Sequence, residues 1–161
     1  MNNPAAEIID IMREKKLTLG VVESASGGLI SHLITNIPGS SDVFQGSIIS
    51  YSNGIKIKIV GVKEVTLKKY GAVSPQVAEE MAKSGRKVLG VDICVADTGI
   101  AGPSGATPGK PVGLFYLGLS HQDGTFSRKH LFKGLREENK QRAAQAALMW
   151  VREYLEGHLR K

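Results

Sequence analysis

Val21-Val22-Glu23-Ser24-Ala25-Ser26-Gly27-Gly28-Leu29-Ile30 joins an apolar run to small hydroxyl residues and paired glycines before apolar periodicity resumes. That order predicts a strand, a tight turn and the start of a helix. At such a junction the first N–H groups of the helix lack partners inside it, and glycine lets a ligand approach the backbone closely. The place suits an anion or a developing oxyanion. Two serines, Ser24 and Ser26, stand there. A hydroxyl needs a base before it becomes a useful nucleophile, and one candidate lies in a second segment, Tyr51-Ser52-Asn53-Gly54-Ile55-Lys56.

Outward from this junction the chain alternates between two periods. Ala5–Lys15 carries a helical apolar stripe, Leu17–Val22 reads as a strand, and Leu29–Ile37 returns to helical spacing. Pro38-Gly39-Ser40-Ser41 is a turn, and Phe44–Tyr51 reads as a second strand. Ile55–Val60 fits both periods, and a short helix is the favoured reading. Ser74-Pro75 is a helix start, serine as N-cap and proline at the first position, for a helix that ends at Gly90. Val91–Ala96, Val112–Leu119 and Phe126–Phe132 read as three more strands, the last two an antiparallel hairpin through His121-Gln122-Asp123-Gly124. A final helix is expected over Glu137–Leu159. The fold class that follows is a single α/β domain over residues 1–161, three layers α/β/α around a mixed, largely parallel sheet. Ligands of such sheets collect at the carboxyl ends of strands, where the turns after Val22, Tyr51 and Ala96 meet.

Composition narrows the class. A chain of 161 residues with 42% hydrophobic and 22% charged residues supports a real core and lacks the signature of disorder. The lone Cys94 sits in an apolar run, which excludes an intramolecular disulfide and predicts a buried thiol in a reducing compartment. No apolar run approaches a bilayer span and the N-terminus has no leader pattern, so a cytoplasmic protein without membrane attachment is expected. Arg128–Lys161 holds nine Lys or Arg against four Glu, hence +5 of the net +6. A solvated helix face explains most of that charge. Base-stacking aromatics are not interleaved with it, so no nucleic-acid partner is expected, while homo-oligomer formation stays open. His32, His121, His130 and His158 show no ligand spacing with Cys94 or with carboxylates, and no metal site is predicted.

The third loop, Asp97 to Pro111, is crowded with glycine and proline, and its N–H groups suit an anion nest. Taken with Glu23-Ser24-Ala25-Ser26-Gly27-Gly28, Pro38-Gly39-Ser40-Ser41, Tyr51-Ser52-Asn53 with Lys56, and Gly71-Ala72-Val73-Ser74, a pattern emerges along nearly the whole chain. Thr98-Gly99-Ile100-Ala101-Gly102-Pro103, Lys110-Pro111-Val112-Gly113, and Gly134 with Arg136 complete it. In order and spacing these seven pieces resemble the CinA C-terminal domain family. The resemblance implies an amidohydrolase that converts the carboxamide of nicotinamide mononucleotide to nicotinate mononucleotide and ammonia, with neither metal nor organic cofactor. It places the nucleophile on Ser24, the lysine base on Lys56 and an assisting tyrosine on Tyr51. It also implies a stand-alone form, because many members carry a further N-terminal domain. Ala25 and Ser26 stand where a cysteine and a threonine are usual, Gly54-Ile55 replaces a common Glu-Ala pair, and Leu135 and Lys140 replace an aspartate and an arginine.

The chemistry suits those residue types. Lys56 must be neutral to act as a base, and an exposed lysine titrates near about 10.4, so it has to be desolvated or crowded by another cation. Tyr51 is expected to relay the proton or orient the amine. Ser26, Gly27 and Gly28 are expected to supply oxyanion donors, and Thr98, Gly99, Ala101, Gly102 and Arg136 to hold the substrate phosphate. Each residue also has a plainer reading. Ser24 and Ser26 are suited to capping a helix from Gly27, Lys56 to standing exposed beside Lys58, Tyr51 to packing, and Arg136 to solvation at a helix start. Glu23 is either a buried partner of the turn or a competing base. Two other classes of function stay open: a nucleotide-binding regulatory module of the same fold without turnover, and a basic protein that associates with nucleic acid.

Overall fold

The computed structural model describes residues 3–157, so Leu159 of the expected last helix, and His158, lie outside the described residues. Helix α1, Pro4–Lys15, starts with Asn3 accepting the Ala5 N–H and proline at its first turn, and buries Ile8, Ile9 and Met12. Strand β1, Leu19–Glu23, is buried along its whole length. After it come α2, Leu29–Thr35, a 3₁₀ turn at Ser40–Asp42, and β2, Phe44–Ile49. A single turn α3, Asn53–Ile55, continues into a π-helical turn, Lys56–Val60, so the ambiguous segment is helical but widened. Helix α4, Glu64–Tyr70, was not anticipated. It is seven residues long and buries only Thr66 and Leu67, too few positions to print a period on the sequence.

Helix α5, Pro75–Leu89, starts as expected: the Ser74 hydroxyl accepts the Val77 N–H, and Gly90 closes the helix in the left-handed region at φ 64°. Strand β3 spans Ile93–Gly99, β4 Leu114–His121 and β5 Gly124–Leu131, and α6 spans Arg136–Leu155. The predicted strand Val91–Ala96 thus runs on through Asp97 and Thr98, which are strand rather than loop. The hairpin is also tighter than expected, with His121 paired to Gly124 across a two-residue turn.

The sheet order is β2-β1-β3-β4-β5, with β1 parallel to β2 and β3, and antiparallel ladders on both sides of β4. Four strands therefore run one way and β4 opposes them, the mixed α/β sheet the sequence implies. Alternation along the strands divides the core in two. Leu19, Val21, Ile93 and Val95 pack with α1, α2 and α6, whereas Val22, Cys94 and Ala96 pack with α5, Val60 and Val62. Helix α5 lies hard against the sheet: a Cβ at Gly118 would sit 2.1 Å from the Ala78 carbonyl oxygen. With Glu23 opposite Ile49 and Val22 opposite Ala96, the carboxyl ends of β1, β2 and β3 finish side by side.

Candidate active site

The turn after β1 is built from one carboxylate. Gly27 and Gly28 take φ of 61° and 106°, which bends the chain into α2 and brings its first N–H groups back over Glu23. Glu23 Oε1 accepts the N–H of Gly28 and Ile30, and Oε2 accepts the N–H and the hydroxyl of Ser31. Glu23 is fully buried. It caps α2 from outside the helix, satisfying donors that a helix start leaves orphaned and setting negative charge at the positive end of the helix dipole. The serine-cap reading is corrected accordingly: α2 begins at Leu29, neither Ser24 nor Ser26 caps it, and Glu23 is the structural partner of the turn.

Ser24 and Lys56 meet. Lys56 Nζ lies 2.9 Å from Ser24 Oγ, 2.6 Å from the Ser50 carbonyl oxygen and 3.1 Å from that of Tyr51. The lysine is 1% exposed, which overturns its reading as one more solvated lysine beside Lys58. The π turn starts at Lys56 itself, whose carbonyl accepts the N–H of both Gly61 and Val62, a widening of the kind frequent at functional positions. Desolvation pulls the amine from its ordinary value down to about 8, against an opposing pull from the charge of Asp97. Its three partners accept the three N–H of the ammonium form; once the amine is neutral, two N–H stay on the carbonyls and the lone pair faces the Ser24 hydroxyl proton. Moving that proton along the Ser24–Lys56 bond breaks neither of the other two.

Ser24, Ala25, Tyr51, Asn53, Lys56, Thr98, Gly99, Ala101, Gly102 and Arg136 line a common cavity of about 290 Å³. Of the expected phosphate ligands, Arg136 extends one guanidinium nitrogen to the Gly102 carbonyl at 2.8 Å and the other to the Tyr51 hydroxyl at 3.4 Å. The Thr98 hydroxyl donates to the Ala72 carbonyl at 2.8 Å, which ties a second loop to the rim. Of the two roles expected of Tyr51, the contact with the amine is made by its main-chain carbonyl; the residue is 65% exposed and its hydroxyl accepts from Arg136.

The expected oxyanion donors are also reassigned. The Ser26 N–H goes to Asp97, the Gly27 N–H to the Ser24 carbonyl and the Gly28 N–H to Glu23, so all three are committed to the turn. These residues line a neighbouring hollow with His32 and Lys140 instead. The Ala25 N–H follows Ser24 directly and makes no hydrogen bond among the described residues. It is the donor position that nucleophile turns use for an oxyanion.

Sequence reasoning missed Asp97. Fully buried, it accepts the Ser24 N–H on Oδ1 and the Ser26 N–H on Oδ2, and its Oδ1 also touches the Ser26 hydroxyl, which reaches Glu23 Oε1 at 2.7 Å. Burial pushes its carboxyl up to about 6, Glu23 adds to the rise, and the Ser26 and Ser24 hydrogen bonds oppose it. An acid directly after the apolar run Ile93–Ala96 was the available signal. Asn139, also missed, is buried and donates to the carbonyls of Ala101 and Gly134, joining the third loop to the start of α6.

A larger hollow of about 1070 Å³ lies elsewhere, lined by Lys63, Glu80, Lys83, Arg86 and the β4–β5 turn. It holds neither Ser24 nor Lys56, so chemistry and not volume locates the site. Among the described residues no group of His, Cys, Asp and Glu is placed to hold a metal, and no helix is long and apolar enough to cross a membrane. Cys94 is fully buried and its thiol is pushed up to about 12 by desolvation, an inert core residue as expected. At the basic end of the chain Arg128 pairs with Glu153 at 2.6 Å, Arg152 with Glu7 at 3.2 Å and Arg142 with Glu138 at 4.0 Å.

Similar proteins carry the same domain. A CinA-like protein of Thermotoga neapolitana is 46% identical over 157 residues, 96% of this chain and 38% of that protein. A putative competence-damage inducible protein of Moorella thermoacetica is 49% identical over 138 residues, covering 86% of this chain and 33% of its own length. The chain thus spans about a third of the length of these relatives. The crystal structure of the competence/damage inducible protein CihA of Agrobacterium tumefaciens is 34% identical and superposes with a TM-score of 0.91 over 95% of this chain and 93% of its own. Residues 1–155 match the model of the CinA C-terminal domain, and with that match the chain belongs to the CinA C-terminal domain family.

Proposed function

We propose that this domain is a Ser–Lys amidohydrolase that cleaves the carboxamide of nicotinamide mononucleotide, giving nicotinate mononucleotide and ammonia. The observation that carries the reading is the 2.9 Å contact between the buried Lys56 Nζ and Ser24 Oγ in the wall of the cavity. An amide carbonyl resists water, and covalent catalysis divides the hard step into two easier ones. As Ser24 Oγ bonds to the carbonyl carbon, its proton passes to Lys56. The tetrahedral oxyanion is met by the Ala25 N–H. When the C–N bond breaks, Lys56 returns the proton to the departing nitrogen, and ammonia leaves an ester on Ser24. Water then attacks the ester, Lys56 takes its proton, and that proton restores the Ser24 hydroxyl as the acid is released.

At the far side of the cavity Arg136, with the backbone of Gly99, Ala101 and Gly102, is suited to a phosphate. The N–H groups of Ala101 and Gly102 make no hydrogen bond among the described residues, which leaves two donors for that anion. Incubation of the purified protein with nicotinamide mononucleotide tests the reading. Ammonia and nicotinate mononucleotide are expected in equal amounts, with both absent for Ser24→Ala. Tight binding without turnover would instead assign a nucleotide-binding module of the same fold.

A further inference from the structure

Ser26 Oγ stands between two buried carboxylates, Glu23 on β1 and Asp97 on β3, within hydrogen-bond distance of both. A hydroxyl has one proton to give. If it serves one carboxylate, the contact with the other needs a proton from that carboxyl. Glu23 has no room for one, because each of its oxygens already accepts two other donors: Gly28 and Ile30 N–H on one, Ser31 N–H and hydroxyl on the other. Asp97 has room, since each of its oxygens accepts a single backbone N–H. Neither carboxylate forms a salt bridge among the described residues, and two like charges buried side by side are disfavoured.

We infer that Asp97 is held as a neutral carboxylic acid at neutral pH, donating to Ser26, which in turn donates to the Glu23 carboxylate, and that this keeps a second negative charge away from Lys56. Burial and the charge of Glu23 both raise the Asp97 carboxyl, in the direction this arrangement needs. The consequence reaches the base. An ionised Asp97 would favour the ammonium form of Lys56, so a neutral one leaves desolvation unopposed. Glu23 and Lys56 are the titratable groups that face Asp97. Leu117 lies opposite it on β4, and the neighbouring helices turn Val77, Met81, Ala143 and Ala144 to the sheet. Asp97 is thus a positioning residue: it anchors the Ser24 backbone and acts on the base through charge.

The protonation claim stands on this geometry, and its effect on turnover rests on the amidohydrolase reading above. Infrared spectroscopy of the protein labelled with ¹³C-carboxyl aspartate at neutral pH should show a protonated carboxyl band that disappears in Asp97→Asn. The band should persist in Ser24→Ala, so it is read without any catalysis. An inactive protein that keeps the band would sink the amidohydrolase reading and leave this one standing. In the active protein, the acid limb of kcat/KM against pH should have its midpoint at the same pH in Asp97→Asn as in the wild type. Absence of the band from the folded wild type overturns the inference. So does an acid limb that moves to lower pH in Asp97→Asn, because that would mean an ionised Asp97 had been raising the base.

Discussion

Two hollows of this molecule differ in nearly everything that matters. The one beside α5 and the β4–β5 turn is large, its lysines are exposed, and its arginine and glutamates are half-buried. The one at the carboxyl ends of β1, β2 and β3 has little more than a quarter of that volume, yet Ser24, Lys56 and Thr98 in its wall are each less than a tenth exposed. In the first, water screens the charges of its exposed lysines. In the second, removal of water changes the base itself, drawing the Lys56 amine down to about 8. The difference teaches that reactivity follows desolvation of a few matched groups and is indifferent to cavity size.

The contrast can be broken most severely at the dyad. Lys56→Met fills much of the same volume without a proton acceptor, and turnover of the mononucleotide should fall by at least about 10³-fold, as losses of a nucleophile or its base do. Retention of activity in a steady-state assay would mean that the buried amine is idle. Next comes the carboxylate beneath the turn. Glu23→Ala strands the N–H groups of Gly28, Ile30 and Ser31, and thermal or denaturant unfolding should show a loss of about 3–5 kcal/mol. Arg136→Ala removes the guanidinium at the rim. It should raise KM for the mononucleotide about 10- to 100-fold, with a much smaller effect on nicotinamide riboside, which lacks the phosphate.

The pH dependence sharpens the same comparison. A base drawn down to about 8 is protonated and inactive below that pH, so kcat should climb as pH rises through about 8 and level off above it. Linkage has a definite sign as well. Between about 8 and the ordinary lysine value the unfolded chain holds the proton that the folded amine has lost, so the Lys56 contribution favours folding increasingly as pH rises through that window. Stability of the wild type relative to Lys56→Met should therefore improve across it. The smallest effect is expected in the other hollow: Lys83 is exposed, and Lys83→Ala should alter stability by less than about 0.5 kcal/mol and leave kcat and KM unaltered.

Much of this was legible along the chain. Ser74-Pro75, with Gly90 at the other end, marked α5 because caps are local chemistry, and the apolar runs marked β1, β2 and β4 within a few residues of their ends. The motifs also named Ser24 and Lys56, which the fold then joined across 32 residues of sequence. Less legible were the places where polarity hid inside a strand. Asp97 and Thr98 look like the opening of a glycine-rich loop, but β4 extends the ladder to Gly99 and turns an apparent loop acid into the anchor of the Ser24 backbone. Ser26, Gly27 and Gly28 misled for the opposite reason. They look like free donors, and Glu23 and Asp97 had already taken their N–H groups or those of their neighbours.

By itself the sequence determined the alternation of strands and helices and the positions of the turns, which rest on periodicity and spacing over a few residues. Ser24 and Lys56 were singled out by the family resemblance. Only the tertiary structure decided that Lys56 is dry, that the Tyr51 carbonyl and not its hydroxyl holds the amine, and that Asp97 grips the Ser24 backbone from 73 residues away. The reason is physical: exposure to water, and the partners of a buried polar group, are properties of packed strands and helices that no short stretch of chain possesses alone.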